Sequence, residues 1–373
     1  MPPWPVCPVA ASLVRPAVDP EVGSGLDADL LIIGGGPVGL ATALYAARAG
    51  LVPLVLEPRP DPIDKACGEG LMPGAVMALA GLGVEVGGRP FAGIRYAEAH
   101  RSVEARFRGG PGRGVRRTEL HAGLAAAAER AGVEVVPRAM ARLEQDGAGV
   151  RVGLSGATAS SVRARFVVAA DGLHSPTRRL LDLGVAARGP RRYGLRRHFR
   201  IAPWTDLVEV HWSGGGEAYV TPVGEDEVGV ALLGSGHGSW LERLAAFPGL
   251  SRRLALAEPT STVLGAGPLR QRVRSRRAGR VLLAGDAGGY VDALTGEGLA
   301  VGLAQAEAAV STLAADRPQD YPRAAALVSL RSGVLTMGLL AATRTPPGRR
   351  CVLGVAHRQP WIFAGTVNAL ARG

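Results

Sequence analysis

The feature that most constrains this 373-residue chain is a glycine-rich turn between a short apolar strand and a helix. The turn Gly34-Gly35-Gly36-Pro37-Val38-Gly39 follows the aliphatic run 28–33 and precedes a helix-forming segment, residues 40–49. Residues 51–56 then predict a second buried strand. A β-α-β unit of about 30 residues with G-x-G-x-x-G in its first turn is typical of dinucleotide-binding domains.

Each glycine of this turn has its own expected role. Gly34 makes the tight turn, Gly36 lets the backbone approach a pyrophosphate, and Gly39 permits close packing of the helix. Glu57 ends the second strand about 20 residues later, where its carboxylate can accept hydrogen bonds from ribose hydroxyls. Pro37 and Arg59 are further cofactor-binding candidates beside these residues.

Two acidic motifs follow later predicted strands. Asp171-Gly172 comes after the strand at 163–168, and Gly285-Asp286 comes after the strand at 280–284. An acid at such a strand end can bind a ribityl or ribose hydroxyl, and a neighbouring glycine leaves room for the cofactor chain. Alone, each motif could be a surface turn. Their order after the glycine turn favours FAD over a nicotinamide dinucleotide.

With these motifs, residues 28–310 resemble the flavoproteins of the p-hydroxybenzoate hydroxylase fold, the flavin monooxygenase and geranylgeranyl reductase superfamily. The resemblance implies that Arg117, which opens an R-x-x-L-x-x-x-L helix, contacts the cofactor phosphates. Residues 170–178 match the family's Asp-Gly motif. The resemblance further implies that Gly296-Glu297-Gly298 opens a helix whose N–H groups and dipole stabilise negative charge on reduced flavin.

Other motifs concern the branch of the family. Lys65-Ala66-Cys67-Gly68-Glu69-Gly70 resembles the K-x-C-G-[DE]-G segment of geranylgeranyl reductases, which makes Cys67 a candidate catalytic and substrate-cavity residue. The lipid-site motif Y-x-W-x-F-P of that branch survives only as Tyr219 and Pro222, two further cavity candidates, which counts against a polyprenyl substrate. The hydroxylase pattern G-D-A-x-H, P-x-x-G-Q-G-x-N is also incomplete, because its key positions hold Gly289, Ala293, Glu297 and Ala300.

Composition limits the remaining functions. A hydrophobic fraction of 47% is ample for a core and predicts two connected domains. The net charge of +11 comes from dispersed arginines without a compact basic run, so we expect no nucleic-acid partner. Cys7, Cys67 and Cys351 are odd in number and far apart, and the histidines lack metal-ligand spacing. We therefore expect no disulfide framework, no metal site and a reducing, cytoplasmic environment.

Membrane features are weak in the sequence. Residues 1–27 predict a disordered extension, because their apolar patch contains Pro8 and follows no basic segment. No uncharged apolar run reaches the roughly 18 residues of a spanning helix, residues 332–343 coming nearest. The apolar segment 334–342 and the basic region 344–350 instead suggest a peripheral contact with a membrane surface.

The predicted architecture is α/β with an α+β insertion. A Rossmann-like three-layer FAD-binding domain is interleaved with an antiparallel-sheet substrate domain and followed by a C-terminal helical region. The FAD-binding domain is predicted at residues 28–88, 108–184 and 268–335, the substrate domain at 89–107 and 185–267, and the helical region at 336–373.

The sequence thus predicts an NAD(P)H-driven FAD-dependent oxidoreductase acting on a hydrophobic small molecule. NAD(P)H would bind transiently, since no second glycine fingerprint exists. Reduced flavin could react with oxygen and hydroxylate the substrate, or pass hydride to a carbon–carbon double bond; the motifs favour hydroxylation slightly. Alternatives are an NAD-dependent dehydrogenase and a non-enzymatic flavin-binding or membrane-docking module. Arg191-Arg192 and Arg196-Arg197 could hold a nicotinamide dinucleotide phosphate or form a solvated face. The sequence predicts no oligomeric state.

Overall fold

The computed structural model describes residues 26–98, 101–156, 160–187, 189–214, 216–236, 238–294, 296–343 and 345–371. Apart from its last two residues, the predicted disordered extension lies outside these ranges. The described strands are β1 (Ala28–Ile33), β2 (Pro53–Leu56), β3 (Gly70–Leu71), β4 (Arg89–Phe91), β5 (Gly93–Glu98), β6 (Arg101–Arg106), β7 (Gly112–Gly114), β8 (Glu134–Val136), β9 (Met140–Gln145), β10 (Val150–Leu154), β11 (Ser161–Ala169), β12 (Gly184–Val185), β13 (Tyr193–Arg200), β14 (Leu207–Ser213), β15 (Gly216–Pro222), β16 (Glu227–Gly234), β17 (Glu258–Pro259), β18 (Leu264–Ala266), β19 (Arg272–Val273), β20 (Arg277–Ala278) and β21 (Val281–Leu283). The described α-helices are α1 (Pro37–Arg48), α2 (Pro73–Gly81), α3 (Arg117–Arg130), α4 (Pro176–Leu180), α5 (Trp240–Leu244), α6 (Pro248–Leu254), α7 (Gly298–Ala314), α8 (Tyr321–Thr343), α9 (Pro346–Arg358) and α10 (Pro360–Ala371).

The first sheet has a parallel centre in the order β21-β11-β1-β2-β8. Its central strand β1 is almost entirely buried because side chains on both of its faces are covered. Leu30 and Ile32 point to one face, where α1, α3 and α7 pack. Leu31 and Ile33 point to the other, where the antiparallel strands β9 and β10 extend the sheet from β11. These layers confirm the predicted Rossmann-like fold.

The second sheet has the order β17-β13-β16-β15-β14-β5-β6. Its pairs are antiparallel except for β14 with β5. Alternate side chains of β15 and β16 point to opposite faces. Ala218 and Val220 pack under α5 and α6, whereas Tyr219, Ala231 and Leu233 face the first domain. The predicted antiparallel insertion is therefore present. Strands β5 and β6 lie within residues 89–107, which the sequence analysis assigns to this insertion.

Three helices, α8, α9 and α10, end the described chain. Helix α8 runs without a break through the domain boundary predicted between residues 335 and 336. The helical stretch Pro318–Thr343 contains an 18-residue window with a mean hydropathy of 1.6, and it is long and apolar enough to cross a membrane by length and composition alone. No uncharged run of this length exists in the stretch, because Asp320, Arg323 and Arg331 interrupt it.

Candidate active site

A cavity of ≈ 500 Å³ lies between the carboxyl ends of the parallel strands and the inner face of the second sheet. This is where open α/β sheets bind ligands. Most predicted cofactor-binding residues line it, namely Gly36, Pro37, Arg59, Arg117, Asp171, Gly172, Gly285, Asp286, Gly296 and Gly298. Cys67 and Tyr219 also line it, whereas Gly34, Gly39, Glu57, Glu297 and Pro222 do not.

The glycine turn after β1 is shaped by close backbone contacts. Gly34 has φ +104°, and a Cβ there would lie 2.7 Å from the carbonyl oxygen of Ala170. A Cβ on Gly39 would lie 1.8 Å from the carbonyl oxygen of Gly34. A Cβ on Gly36, in contrast, would meet no atom within 4 Å. Gly34 and Gly39 therefore build the turn, and Gly36 keeps its cavity side open for a close-approaching group such as a pyrophosphate.

Glu57 is buried at the end of β2, and hydrogen-bond donors surround its carboxylate. Oε2 accepts from the Gly35 N–H and Arg59 Nη2, both at 2.8 Å, and Oε1 accepts from Arg59 N at 3.0 Å and Nε at 2.8 Å. Burial raises the pKa of this carboxyl, but the hydrogen bonds from Arg59 and Gly35 outweigh it and lower the pKa. A carboxylate offers about four acceptor positions, and these four hydrogen bonds occupy them. A ribose hydroxyl would therefore have to displace the half-exposed Arg59 side chain.

Arg117 and Asp171 supply polar groups at the cavity wall that the protein leaves unsatisfied. Arg117 begins α3, and its Nε is buried without a hydrogen-bond partner. Asp171 Oδ2 accepts from the Thr177 N–H at 2.9 Å, whereas Oδ1 is buried without a partner. Buried polar atoms are normally satisfied. A cationic donor and a carboxylate acceptor on the same cavity fit a ligand with phosphates and hydroxyls, as FAD has.

Arg178 joins the two acidic motifs, which lie more than 100 residues apart in the chain. Its buried guanidinium donates to the carbonyl oxygens of Leu173 at 2.6 Å, Asp286 at 3.2 Å and Ala287 at 3.1 Å. A fourth hydrogen bond reaches Gln271 Oε1 at 3.0 Å. Burial lowers the pKa of Arg178 from its ordinary value. This side chain therefore holds the loop after β11 and the loop after β21 in a fixed position relative to each other.

Asp286 has a protein partner that sequence reasoning missed. Lys65 Nζ lies 2.9 Å from Asp286 Oδ2, so the segment of residues 65–70 is tied to the loop after β21. Gly285 beside it has φ +61°, and its N–H donates to Gln305 Oε1 of α7 at 2.8 Å. This ion pair occupies one carboxylate oxygen of Asp286, the residue that the resemblance assigns to cofactor binding.

Glu69 organises a buried polar network behind Cys67. Glu69 has φ +59°, and its Oε1 accepts from the backbone N–H of Arg117 at 2.9 Å. Arg196 can only donate, so His198 Nδ1 accepts from Arg196 Nη1 at 3.1 Å. His198 Nε2 then carries the proton that it donates to Glu69 Oε2 at 2.6 Å. The network fixes the turn that presents Cys67 to the cavity, and it links this turn to β13.

Neither role expected for the two arginine pairs holds for Arg192 and Arg196. Arg196 is buried and forms an ion pair with Asp64. Arg192 lies 2.5 Å from Glu217 Oε2 and 3.0 Å from Asp292 Oδ2. Alternation along β13 turns Arg196 inward, and Arg192 directly precedes this strand; carboxylates neutralise both side chains. Burial raises the pKa of Asp292 despite the opposing effect of Arg192.

The far end of the cavity is apolar. Its wall from the second sheet includes Ile94, Tyr96, Val208, Val210, Tyr219 and Leu233. The Tyr219 hydroxyl donates to the carbonyl oxygen of Leu294 at 2.8 Å, and burial raises the pKa of both tyrosines. Pro222 ends β15 outside the lining, where its carbonyl oxygen faces Gly114. The polar end of the cavity thus holds the predicted cofactor residues, and the apolar end offers space for a hydrophobic substrate.

Helix α7 begins at the cavity wall. Gly296, with φ +69°, and Gly298 line the cavity, whereas the buried Glu297 between them does not. Thr295 of the same motif lies outside the described residues. The positive end of the α7 dipole therefore reaches the cavity and favours negative charge there.

Sequence reasoning gave Lys65, Arg178 and His198 no role in this site, and it considered Arg196 only for a nicotinamide dinucleotide phosphate or a solvated face. The alternation of β13 was the available signal for Arg196 and His198, but their carboxylate partners lie over 100 residues away in the chain. Among the described residues, no group of three or more His, Cys, Asp or Glu side chains could hold a metal ion.

Comparison with known proteins agrees with this geometry. Residues 27–212 match the family described as "FAD binding domain". Menaquinone reductase from Mycobacterium tuberculosis is 30% identical over 308 residues, which cover 74% of this chain and 74% of the relative. Digeranylgeranylglycerophospholipid reductase 1 from Methanopyrus kandleri is 31% identical over 295 residues, which cover 74% of this chain and 77% of the relative.

Among solved structures, the flavin-dependent brominase Bmp2 superposes with a TM-score of 0.81 at 17% identity, covering 92% of this chain and 93% of its own. Identity this low shows the fold alone. The two reductases are matched over about three quarters of their lengths at 30% identity or more. The chain therefore belongs to the FAD-dependent oxidoreductases of the p-hydroxybenzoate hydroxylase fold, the superfamily of flavin monooxygenases and geranylgeranyl reductases.

Proposed function

We propose that this FAD-dependent oxidoreductase reduces a carbon–carbon double bond of a hydrophobic quinone or isoprenoid lipid, with NAD(P)H as transient electron donor. The observation that carries the proposal is the cavity wall formed by residues 65–70. Lys65 fixes this segment to Asp286 on one side and Glu69 fixes it to His198 on the other, so that Cys67 lines the cavity. The reductase-like segment is thus built into the site.

The relatives support reduction over hydroxylation, and the cavity supports a hydrophobic substrate. The motifs alone favour hydroxylation slightly, but relatives matched over most of their length are named as reductases of a quinone and of a geranylgeranyl lipid. The apolar end of the cavity also suits a hydrophobic substrate. These matches give no support to an NAD-dependent dehydrogenase or to a non-enzymatic module.

FAD, when bound, supplies the hydride chemistry, and the protein supplies position and environment. Arg117, Asp171 and the open side of Gly36 are placed to hold the phosphates and hydroxyls of the cofactor. The N-terminus of α7 stabilises negative charge that develops near it. The apolar wall excludes water, and Tyr219 stays protonated because burial raises its pKa.

Product analysis distinguishes the two reactions. The purified holoprotein is incubated with NADPH or NADH and with menaquinone or a geranylgeranyl lipid, with and without oxygen. The masses of the products are then measured by mass spectrometry. Reduction adds two hydrogen atoms and proceeds without oxygen. An oxygen-dependent product that gains one oxygen atom would overturn the proposal in favour of hydroxylation. The Gly36→Ala variant, which we expect to fold without FAD, serves as the matched blank.

A further inference from the structure

Helix α8 carries an apolar stripe that faces away from the protein. Leu327, Leu330, Val334 and Met337 are spaced three and four residues apart, so they share one face of the helix. Their side chains are 63%, 60%, 54% and 48% exposed. Single exposed leucines are common on protein surfaces, but a continuous row over about three turns marks an interaction surface.

The opposite side of α8 is attached to the protein along the length of the helix. Tyr321 and Ala325 belong to the core under α7, and Ser329 Oγ accepts from Gln305 Nε2 at 2.9 Å. Leu335 and Leu339 pack against the cluster that contains the cavity residues Tyr96 and Tyr219. A bilayer could therefore meet only the outer face of α8. The stripe fits a helix lying on a membrane surface better than one spanning it.

The charge of the C-terminal helices indicates which kind of partner covers this stripe. Residues 321–373 contain seven arginines and no aspartate or glutamate. Arg323, Arg331, Arg350 and Arg358 are exposed. Each basic residue near an anionic lipid surface strengthens binding about fivefold. Pairing of two copies through this face would bring two such segments together without a counter-charge, which disfavours a second copy as the occupant.

We propose that the α8 stripe docks on the surface of an anionic lipid bilayer. The exposed arginines then lie at the lipid headgroups, and the four apolar side chains lie deeper in the bilayer than the headgroups. Because the inner face of α8 packs on the cluster at the apolar end of the cavity, docking places that end beside the membrane. The docking does not depend on the reaction proposed above, since it is measured without turnover.

Vesicle sedimentation of the full-length FAD-bound protein tests this proposal. We expect binding to vesicles of equal parts phosphatidylglycerol and phosphatidylcholine, weaker binding at high salt, and little binding to phosphatidylcholine alone. Leu330→Glu/Val334→Glu should weaken binding at least tenfold, and Arg323→Gln/Arg331→Gln about 30-fold. The matched control is Leu241→Glu/Leu256→Glu, which changes two exposed leucines near the second sheet and should bind as wild type does. FAD content verifies that each variant is folded.

Three results would overturn the proposal. The first is no sedimentation with anionic vesicles, and the second is equal binding by the α8 variants and the wild type. The third is a dimer in analytical ultracentrifugation that Leu330→Glu/Val334→Glu dissociates, which would assign the stripe to a second copy of the chain.

Discussion

Replacing Arg117 by methionine should separate cofactor binding from folding. Arg117 lines the cavity at the first position of α3, and its buried Nε has no hydrogen-bond partner in the protein. Methionine keeps most of the side-chain length but removes the charge and every donor. The backbone N–H of residue 117, which donates to Glu69, is unchanged.

Two opposing effects set the magnitude. A charge-assisted hydrogen bond to a phosphate contributes about 2 kcal/mol, so its loss should weaken FAD binding about 30-fold. An unsatisfied buried donor costs about 1–3 kcal/mol, and the substitution relieves this cost in the protein without cofactor. The apoprotein should therefore be no less stable than wild type, while its affinity for FAD falls.

Fluorescence titration of the apoprotein with FAD gives the affinity, and urea unfolding of the apoprotein gives the stability. Arg116→Met is the matched control, because Arg116 precedes α3, lies 3.4 Å from Glu227 Oε1 and does not line the cavity. The reasoning is refuted if Arg117→Met binds FAD as wild type does, if Arg116→Met loses as much affinity, or if Arg117→Met destabilises the apoprotein.

Three other predictions concern the glycine turn, the cavity and the second sheet. Gly36→Ala should fold with normal stability, since its Cβ meets no protein atom, but it should lose FAD because that Cβ fills the open cavity side of the turn. Gly39→Ala should lose both stability and flavin absorbance because its Cβ clashes with a carbonyl oxygen. A yellow Gly36→Ala protein would contradict this. Cys67→Phe should raise KM for the substrate about tenfold or more and leave flavin reduction by NAD(P)H unchanged, because the side chain enters the cavity; an unchanged KM would place the substrate elsewhere. Burial raises the pKa of Glu209, but hydrogen bonds from three neighbours outweigh it and hold the pKa at about 2. The lowered pKa stabilises the folded protein by ~2 kcal/mol above the ordinary pKa of glutamate, and this stabilisation disappears as the pH falls towards the pKa of Glu209 in the folded protein. The difference in unfolding free energy between wild type and Glu209→Gln, measured in urea, should therefore shrink at low pH. A difference that stays constant with pH would contradict this prediction.

The first β-α-β unit can be predicted from the sequence because its signals are local. The glycine spacing, the aliphatic strands and the helix end at Gly50 all lie within 30 residues. The second sheet is also predictable as an antiparallel insertion, because its strands alternate and glycine-rich turns separate them.

The partners of the site residues could not be predicted in the same way. The Lys65–Asp286 pair joins residues 221 positions apart, and the inward turn of Arg196 depends on Asp64 and Glu69 being present to neutralise it. No pattern within one segment reports such long-range pairing. The four hydrogen bonds to Glu57 depend on side-chain conformation, which the motif alone does not specify.

The guanidinium of Arg178 bears on how such a protein can diversify. Strands β13 to β18 of the second sheet enter the chain between the two loops that this side chain holds together, whereas β5 and β6 precede both loops. Mutations that reshape the insertion can therefore accumulate without separating those loops. Substrate preference can evolve in the insertion while the flavin scaffold stays constant, and chimeras that exchange residues 193–266 between relatives should retain their colour.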